Sequence, residues 1–198
     1  LDKVGVLVGG QGRGSNLRAL LSAERKGAFP ASIRLVIGPK EGIPAQQIAH
    51  EYGVEYNAVA PPAKGAEAAY AEALVQALHE FDWLCLAGYL QLVPSTVLAA
   101  FPGRILNIHP ALLPKFGGKG MYGHHVHKAV IEAGETESGC TVHLVNERYD
   151  EGDIVLQKRC PVLPDDTAET LGARVLALEH TAYAEALNMV IRARGTIL

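Results

Sequence analysis

Lys3-Val4-Gly5-Val6-Leu7-Val8-Gly9 is a short Val-rich apolar run that breaks into Gly10-Gln11-Gly12-Arg13-Gly14-Ser15-Asn16 and then enters a helical pattern over Leu17–Lys26. A strand that empties into glycines and a helix is the opening unit of an α/β sheet. The alternation continues outward from it. Ile33–Ile37, Val54–Val59, Trp83–Ala87 and Arg104–Ile108 read as further strands, and Pro44–Tyr52, Ala66–Glu80 and Val97–Phe101 as helices between them. Trp83–Ala87 (WLCLA) is apolar on both faces, which suits an interior strand of a parallel sheet covered on both sides.

The texture changes after Pro110. Leu113–Gly123 is loop-like, with Pro114 and four glycines, and Val126–Ala133 is helical. Cys140–Val145 and Ile154–Pro161 flank the polar Asn146–Asp153, a separation too short for a crossover, so they pair antiparallel as a hairpin. Asp165–Thr167 provides an N-terminal cap for a last helix reaching about Arg192. The fold class expected is α/β: an open, mostly parallel, Rossmann-like sheet flanked by helices, with an antiparallel hairpin in the C-terminal half. One domain over 1–198 is expected, since the 198 residues show no repeat or linker.

Charge narrows the partners. The formal net charge is −3, which counts against a dedicated nucleic-acid binder. No run approaches the roughly 18 apolar residues of a membrane span, and no basic-then-apolar leader opens the chain. Cys85, Cys140 and Cys160 are odd in number and lack CxxC spacing, so buried free thiols in a reducing cytoplasm are expected.

Open parallel sheets bind ligands beyond the carboxyl ends of their strands. The glycine loop, Leu90–Val93, Asn107–Gly120 and the hairpin loop are therefore the segments to watch. Gly14, Ser15 and Asn16 stand where a helix N-terminus offers free N–H groups to an anion. The loop does not complete a dinucleotide fingerprint, and Gly38-Pro39-Lys40 replaces the acidic residue expected after the second strand, so a monophosphate fits better than NAD. A plain tight turn stays open as the alternative.

Asn107-Ile108-His109-Pro110 closes an apolar strand. Asn107 and His109, two apart, share a face. An amide N–H and an imidazole side by side can stabilise the oxyanion of acyl transfer or move a proton, although a strand-end polar pair satisfied by backbone would look the same. Asp150, in the hairpin loop, would favour imidazolium if it met His109, and would be a solvated turn residue if it did not. His124, His125 and His127 invite a metal reading, but the first two are adjacent and diverge on any regular element, and no fourth ligand is near; no metal is expected. His143, between Val142 and Leu144, reads as a supporting hydrogen bonder, and His50 and His79 as helix-surface residues.

These residues together resemble the folate-dependent formyltransferase family. Asn107–Pro114 is similar to its N-I-H-P-[SA]-L-L-P pattern. Gly139–His143, continuing through Asp150-Glu151-Gly152 to Val155, is similar to G-x-[ST]-V-H…D-x-G-x-x-[IV], and Leu86–Leu90 to L-A-G-[FY]-M. Gly12-Arg13-Gly14-Ser15-Asn16-Leu17 looks like the G-x-G-S-N-L phosphate loop of members that act on glycinamide ribonucleotide. Gln91 stands where an Arg is common, and the segment after Lys115 is longer than the family's P-G-x-H-x-H form.

The resemblance implies formyl transfer from 10-formyltetrahydrofolate, as cosubstrate, to the amine of 5-phosphoribosylglycinamide in purine biosynthesis, by a monomer or homodimer without metal, nucleic acid or membrane. It implies Asn107, His109 and Asp150 as catalytic, and Gly14, Ser15, Asn16 and Glu179 on the amine substrate. Leu90, Gln91, Leu92, Val93, Asn107, Asn146 and Asp150 are implied around the folate. Hydrolysis of the folate, formylation of an amino sugar on a nucleotide, and ligand binding without turnover remain the rival readings.

Overall fold

The apolar runs become strands of one sheet in the computed structural model, which describes residues 1–196. The strands are β1 (Asp2–Val8), β2 (Ala31–Gly38), β3 (Glu55–Ala58), β4 (Trp83–Ala87), β5 (Ile105–His109), β6 (Glu137–Leu144) and β7 (Ile154–Pro161). The helices are α1 (Ser15–Arg25), α2 (Pro44–Tyr52), α3 (Glu67–Ala77), α4 (Ser95–Ala100), α5 (His124–Glu132) and α6 (Ala168–Gly195). Strand order is β3-β2-β1-β4-β5-β6-β7. The first five are parallel, and β6 and β7 join antiparallel, β6 against β5 and β7 against β6.

Alternate residues of each strand feed two cores. Val4, Val6, Cys85, Leu106 and Ile108 face one side, which α1, α2, α5 and α6 cover through Leu17, Leu21, Ile48, Val130, Val175 and Leu187. Leu7, Leu84, Leu86 and Ile105 face the other, covered by α3 and α4 through Leu74 and Val97. Asn107 and His109 continue the row begun by Ile105 beyond the reach of those helices, which is why a polar pair is tolerated there.

The chain leaves β1 toward β2 and β3, then returns to place β4 on the other side of β1. Connections from β1 and β4 thus splay apart, leaving a crevice at their carboxyl ends. Tyr183 of α6 fixes this point. Its buried hydroxyl lies 2.7 Å from the Leu86 carbonyl and 3.0 Å from that of Leu106, one residue before β4 and β5 deliver Ala87 and Asn107. Thr167 caps α6 in a reciprocal arrangement with Thr170, as its position before the helix suggests.

Most expected boundaries shift by one to three residues, and three of the shifts bear on the site. Asn107 and His109 both lie inside β5, because β6 pairs with it through His109↔Thr141 and extends the ladder past Ile108. β6 starts at Glu137, three residues before Cys140, because β7 continues to pair there, Glu137 opposite Pro161. α5 begins at His124, drawing the histidine cluster into a helix. Among the described residues, no helix is long and apolar enough to cross a membrane, and Cys85, Cys140 and Cys160 are buried and free.

Candidate active site

A cleft of about 990 Å³ runs over the ends of β4 and β5, at the upper end of the range for small-molecule sites. Leu90, Gln91, Leu92 and Val93 after β4, Asn107 and His109 on β5, and Asn146 and Asp150 in the β6–β7 loop all line it. Asn16 and Glu179 line it from α1 and α6. Gly14 and Ser15 instead line an adjoining pocket of about 140 Å³, which shares Arg13, Asn16 and Gly88 with the cleft. His124 and His127 reach the cleft; His125 turns away and meets the Tyr122 ring edge-on at 5.6 Å. His50 is exposed on α2, whereas His79, expected on a helix surface, is exposed in the turn after α3, which ends at Ala77.

Asp150 is the residue whose placement the chain alone leaves open. It is not a solvated turn residue: its side chain is 10 % exposed and stands between two imidazoles. His109 Nδ1 lies 3.5 Å from Oδ2, and His143 Nε2 lies 3.5 Å from Oδ1. The Gly118 N–H donates to Oδ2 at 3.0 Å. Asp150 is held at φ 57°, a conformation unusual for a residue with a side chain and characteristic of positions kept for a purpose. Gly117 permits this approach, since a Cβ there would lie 3.1 Å from the Asp150 Cβ and 2.6 Å from Leu113.

The neighbours of the pair also follow from the ladder. Asn107 is directly opposite His143 on β6, and its amide Nδ2 is 3.2 Å from His143 Nε2. His143 Nδ1–H donates to the Leu144 carbonyl at 2.9 Å, which leaves Nε2 to accept from Asn107. His109 Nε2–H donates to the Phe116 carbonyl at 2.7 Å, so its Nδ1 is the nitrogen turned toward Asp150. Thr141, across from His109, ties down the segment that follows: it accepts from Leu113 N–H at 3.1 Å and from Gln157 at 3.0 Å, and donates to the Ala111 carbonyl at 2.7 Å.

Burial sets the charges. It pushes the His109 pKa below its ordinary value, against the raising effect of Asp150. Asp150 does favour the imidazolium, as expected of a carboxylate beside His109, but desolvation outweighs it in the net direction. Burial also works to raise Asp150, but the neighbouring His143 and His109 rings and the Gly118 N–H outweigh it, and Asp150 stays below the usual carboxylate value. Burial lifts Glu179 to about 7, with the Asn16 amide opposing. His127 falls to about 4, chiefly by desolvation and secondarily through His124. Among the described residues, no group of three or more His, Cys, Asp or Glu side chains is arranged to hold a metal ion.

Sequence reasoning did not reach Phe116, Gly118, Thr141 or Tyr183. Phe116 and Gly118 act through backbone groups, which no side-chain pattern records. Thr141 had a signal, lying two residues from His143 on the same strand face.

Residues 3–187 match the model of the formyl transferase family. The chain belongs to that family. It is 42 % identical over 186 residues to the chloroplastic phosphoribosylglycinamide formyltransferase of Vigna unguiculata, covering 92 % of this chain and 59 % of that protein. A protein of the same name from Arabidopsis thaliana is also 42 % identical, over 187 residues, with 92 % and 64 % covered. The chain therefore spans about three fifths of the length of these curated relatives. The crystal structure of glycinamide ribonucleotide transformylase 1 from Symbiobacterium toebii superposes with a TM-score of 0.89 at 39 % identity, covering 98 % of this chain and 89 % of that one. The formyl transferase motifs are carried here by the ends of β4 and β5 and the β6–β7 loop, the segments that form the cleft.

Proposed function

We propose that this formyl transferase moves the formyl group of 10-formyltetrahydrofolate to the amine of 5-phosphoribosylglycinamide in purine biosynthesis. The observation that carries this reading is the meeting of Asn107, His109 and Asp150 in one cleft. The family match and the names of its relatives support it.

In this reading the folate lies along Leu90, Gln91, Leu92, Val93 and Asn146. The ribose of the amine substrate reaches Asn16 and Glu179, and its phosphate reaches Gly14 and Ser15. The formyl carbon then sits at Asn107. The neutral amine attacks it, and charge develops on the formyl oxygen. Asn107 spends one amide N–H on His143 and keeps the other for that oxygen. His109 joins by swinging its Nε2–H from the Phe116 carbonyl, a move that the flanking Gly117 and Gly118 allow. Asp150, ionised at neutral pH, takes the proton lost by the attacking nitrogen. That proton finishes on the folate nitrogen as tetrahydrofolate leaves. No covalent enzyme intermediate and no metal is needed. We place the protein in the cytoplasm, as one domain over 1–198, acting as a monomer or homodimer on small molecules.

The test is turnover of 10-formyltetrahydrofolate with and without phosphoribosylglycinamide, followed by absorbance and product mass. Amine-dependent turnover with gain of one formyl group is expected. Turnover without the amine would replace transfer by hydrolysis.

A further inference from the structure

Seven large apolar side chains stay exposed among the described residues, and three of them, Leu90, Leu92 and Tyr122, line the cleft. Apolar groups scattered over a surface need no explanation, but apolar groups gathered in a concavity mark what binds there. Leu90 and Leu92 follow β4, on the wall along which the folate lies in the proposed function. Tyr122, 43 % exposed, belongs to a different wall, Gly118–Gly123, every residue of which lines the cleft. Gly123–His127 (GHHVH) fits the end of the family's P-G-x-H-x-H form, and Tyr122 stands where that form has its proline. The aromatic ring is therefore a feature of this chain and not of the pattern.

Backbone bonds tie this wall to the reacting groups. Gly118 donates its N–H to Asp150 Oδ2 at 3.0 Å, and its carbonyl accepts from the Met121 N–H at 3.1 Å. Gly118–Met121 is thus a β-turn, whose end residues stand within about 7 Å of each other. Tyr122 follows directly, so its Cα lies within about 11 Å of that of Gly118, the residue that holds Asp150. The Tyr122 ring packs edge-on against the exposed His125 and is not part of either core. Of the two substrates, the folate has the apolar face to offer. Its aminobenzoyl ring is bonded to the nitrogen that carries the formyl group, so the ring stays next to the reacting carbon wherever the pterin goes. The amine substrate is hydroxylated and phosphorylated instead.

We infer that Tyr122 is a specificity-determining residue for the cosubstrate, its ring packing against the aminobenzoyl ring of the folate from the side opposite Leu90 and Leu92. Aromatic pairs of this kind hold a ring by area and by edge or offset geometry, with no demand on the phenol hydroxyl. The identity of the cosubstrate rests on the proposed function.

The test has a binding arm and a kinetic arm, using the whole protein and the variants Tyr122→Ala and Tyr122→Phe, with melting curves to verify folding. Tetrahydrofolate is titrated calorimetrically. Tyr122→Ala should bind it about 3- to 10-fold more weakly, and Tyr122→Phe as well as the wild type, as loss of one aromatic contact predicts. In turnover, Tyr122→Ala should raise the folate KM by a similar factor, with a smaller effect on kcat and none on KM for phosphoribosylglycinamide. Equal binding by Tyr122→Ala, a Tyr122→Phe as weak as Tyr122→Ala, or a raised amine KM instead would overturn the inference. If phosphoribosylglycinamide is not formylated but tetrahydrofolate binding still depends on the Tyr122 ring, the proposed reaction fails and the contact stands. If it is formylated and Tyr122→Ala binds tetrahydrofolate normally, the contact fails and the reaction stands. A wild type that binds no tetrahydrofolate would remove both.

Discussion

The parallel half of the sheet and its antiparallel extension serve the cleft in different ways. β1, β4 and β5 deliver their groups at strand ends, in their order across the sheet: the glycine loop, Leu90–Val93, then Asn107 and His109. β6 and β7 contribute from the side. They bring His143 and Thr141 across from Asn107 and His109 by direct pairing, and their connecting loop folds Asp150 back onto both imidazoles. One half supplies positions that any α/β protein of this order would offer. The other supplies the carboxylate that meets those positions from the side.

The sharpest way to break this comparison is Asp150→Asn. Turnover should fall at least about 100-fold with the fold retained, on typical magnitudes for acid–base groups. Near-normal rates would mean that the parallel half carries the chemistry alone. At saturating amine, wild-type turnover should fall on the acid side only below pH 6.5, because both His109 and Asp150 lie beneath their ordinary values.

Glu179 tests the opposite wall. Its folded pKa, about 7, stands above the ordinary 4.5, so its burial costs nothing below pH 4.5 and most above pH 7. Glu179→Gln should therefore stabilise the empty protein at pH 8 by about 2–3 kcal/mol and show no gain at pH 4, measured by denaturant unfolding. Its KM for the amine should rise. A pH-independent change in stability would show that packing, not charge, dominates there.

Thr141→Val removes the hydroxyl that joins the loop after β5 to β6 and β7. Unpairing the Leu113 N–H should cost about 1–2 kcal/mol, visible as a lower melting temperature. Tyr183→Phe should cost less, about 1 kcal/mol, since the Leu86 and Leu106 carbonyls keep their own ladder neighbours. If Tyr183→Phe proves the more damaging, the switch point depends on α6 more than on the hairpin.

Much of this was legible in the chain. Val-rich runs between helical patterns gave the parallel strands, with Trp83–Ala87 and Pro44–Tyr52 at their observed bounds. The period of two in β5 placed Asn107 and His109 on one face, and the short polar connection made β6 and β7 a hairpin. Boundaries slipped where a partner strand extends an element, as Glu137 opposite Pro161 does for β6. The net direction of the His109 pKa was not legible, because a pairing rule counts Asp150 and not the desolvation that opposes it.

The sequence by itself determined the parallel strands and the helices between them, the polar pair at the end of β5 and the family. Each is a local pattern of side-chain types with a fixed period or motif spacing. Only the tertiary structure decided that Asp150, 41 residues after His109 along the chain, stands 3.5 Å from it. That contact depends on the register of β6 against β5, on a left-handed backbone turn at Asp150, and on the N–H of Gly118. It decided the direction of the pKa shifts in the site too, since burial is a property of everything packed around a group and of no residue alone.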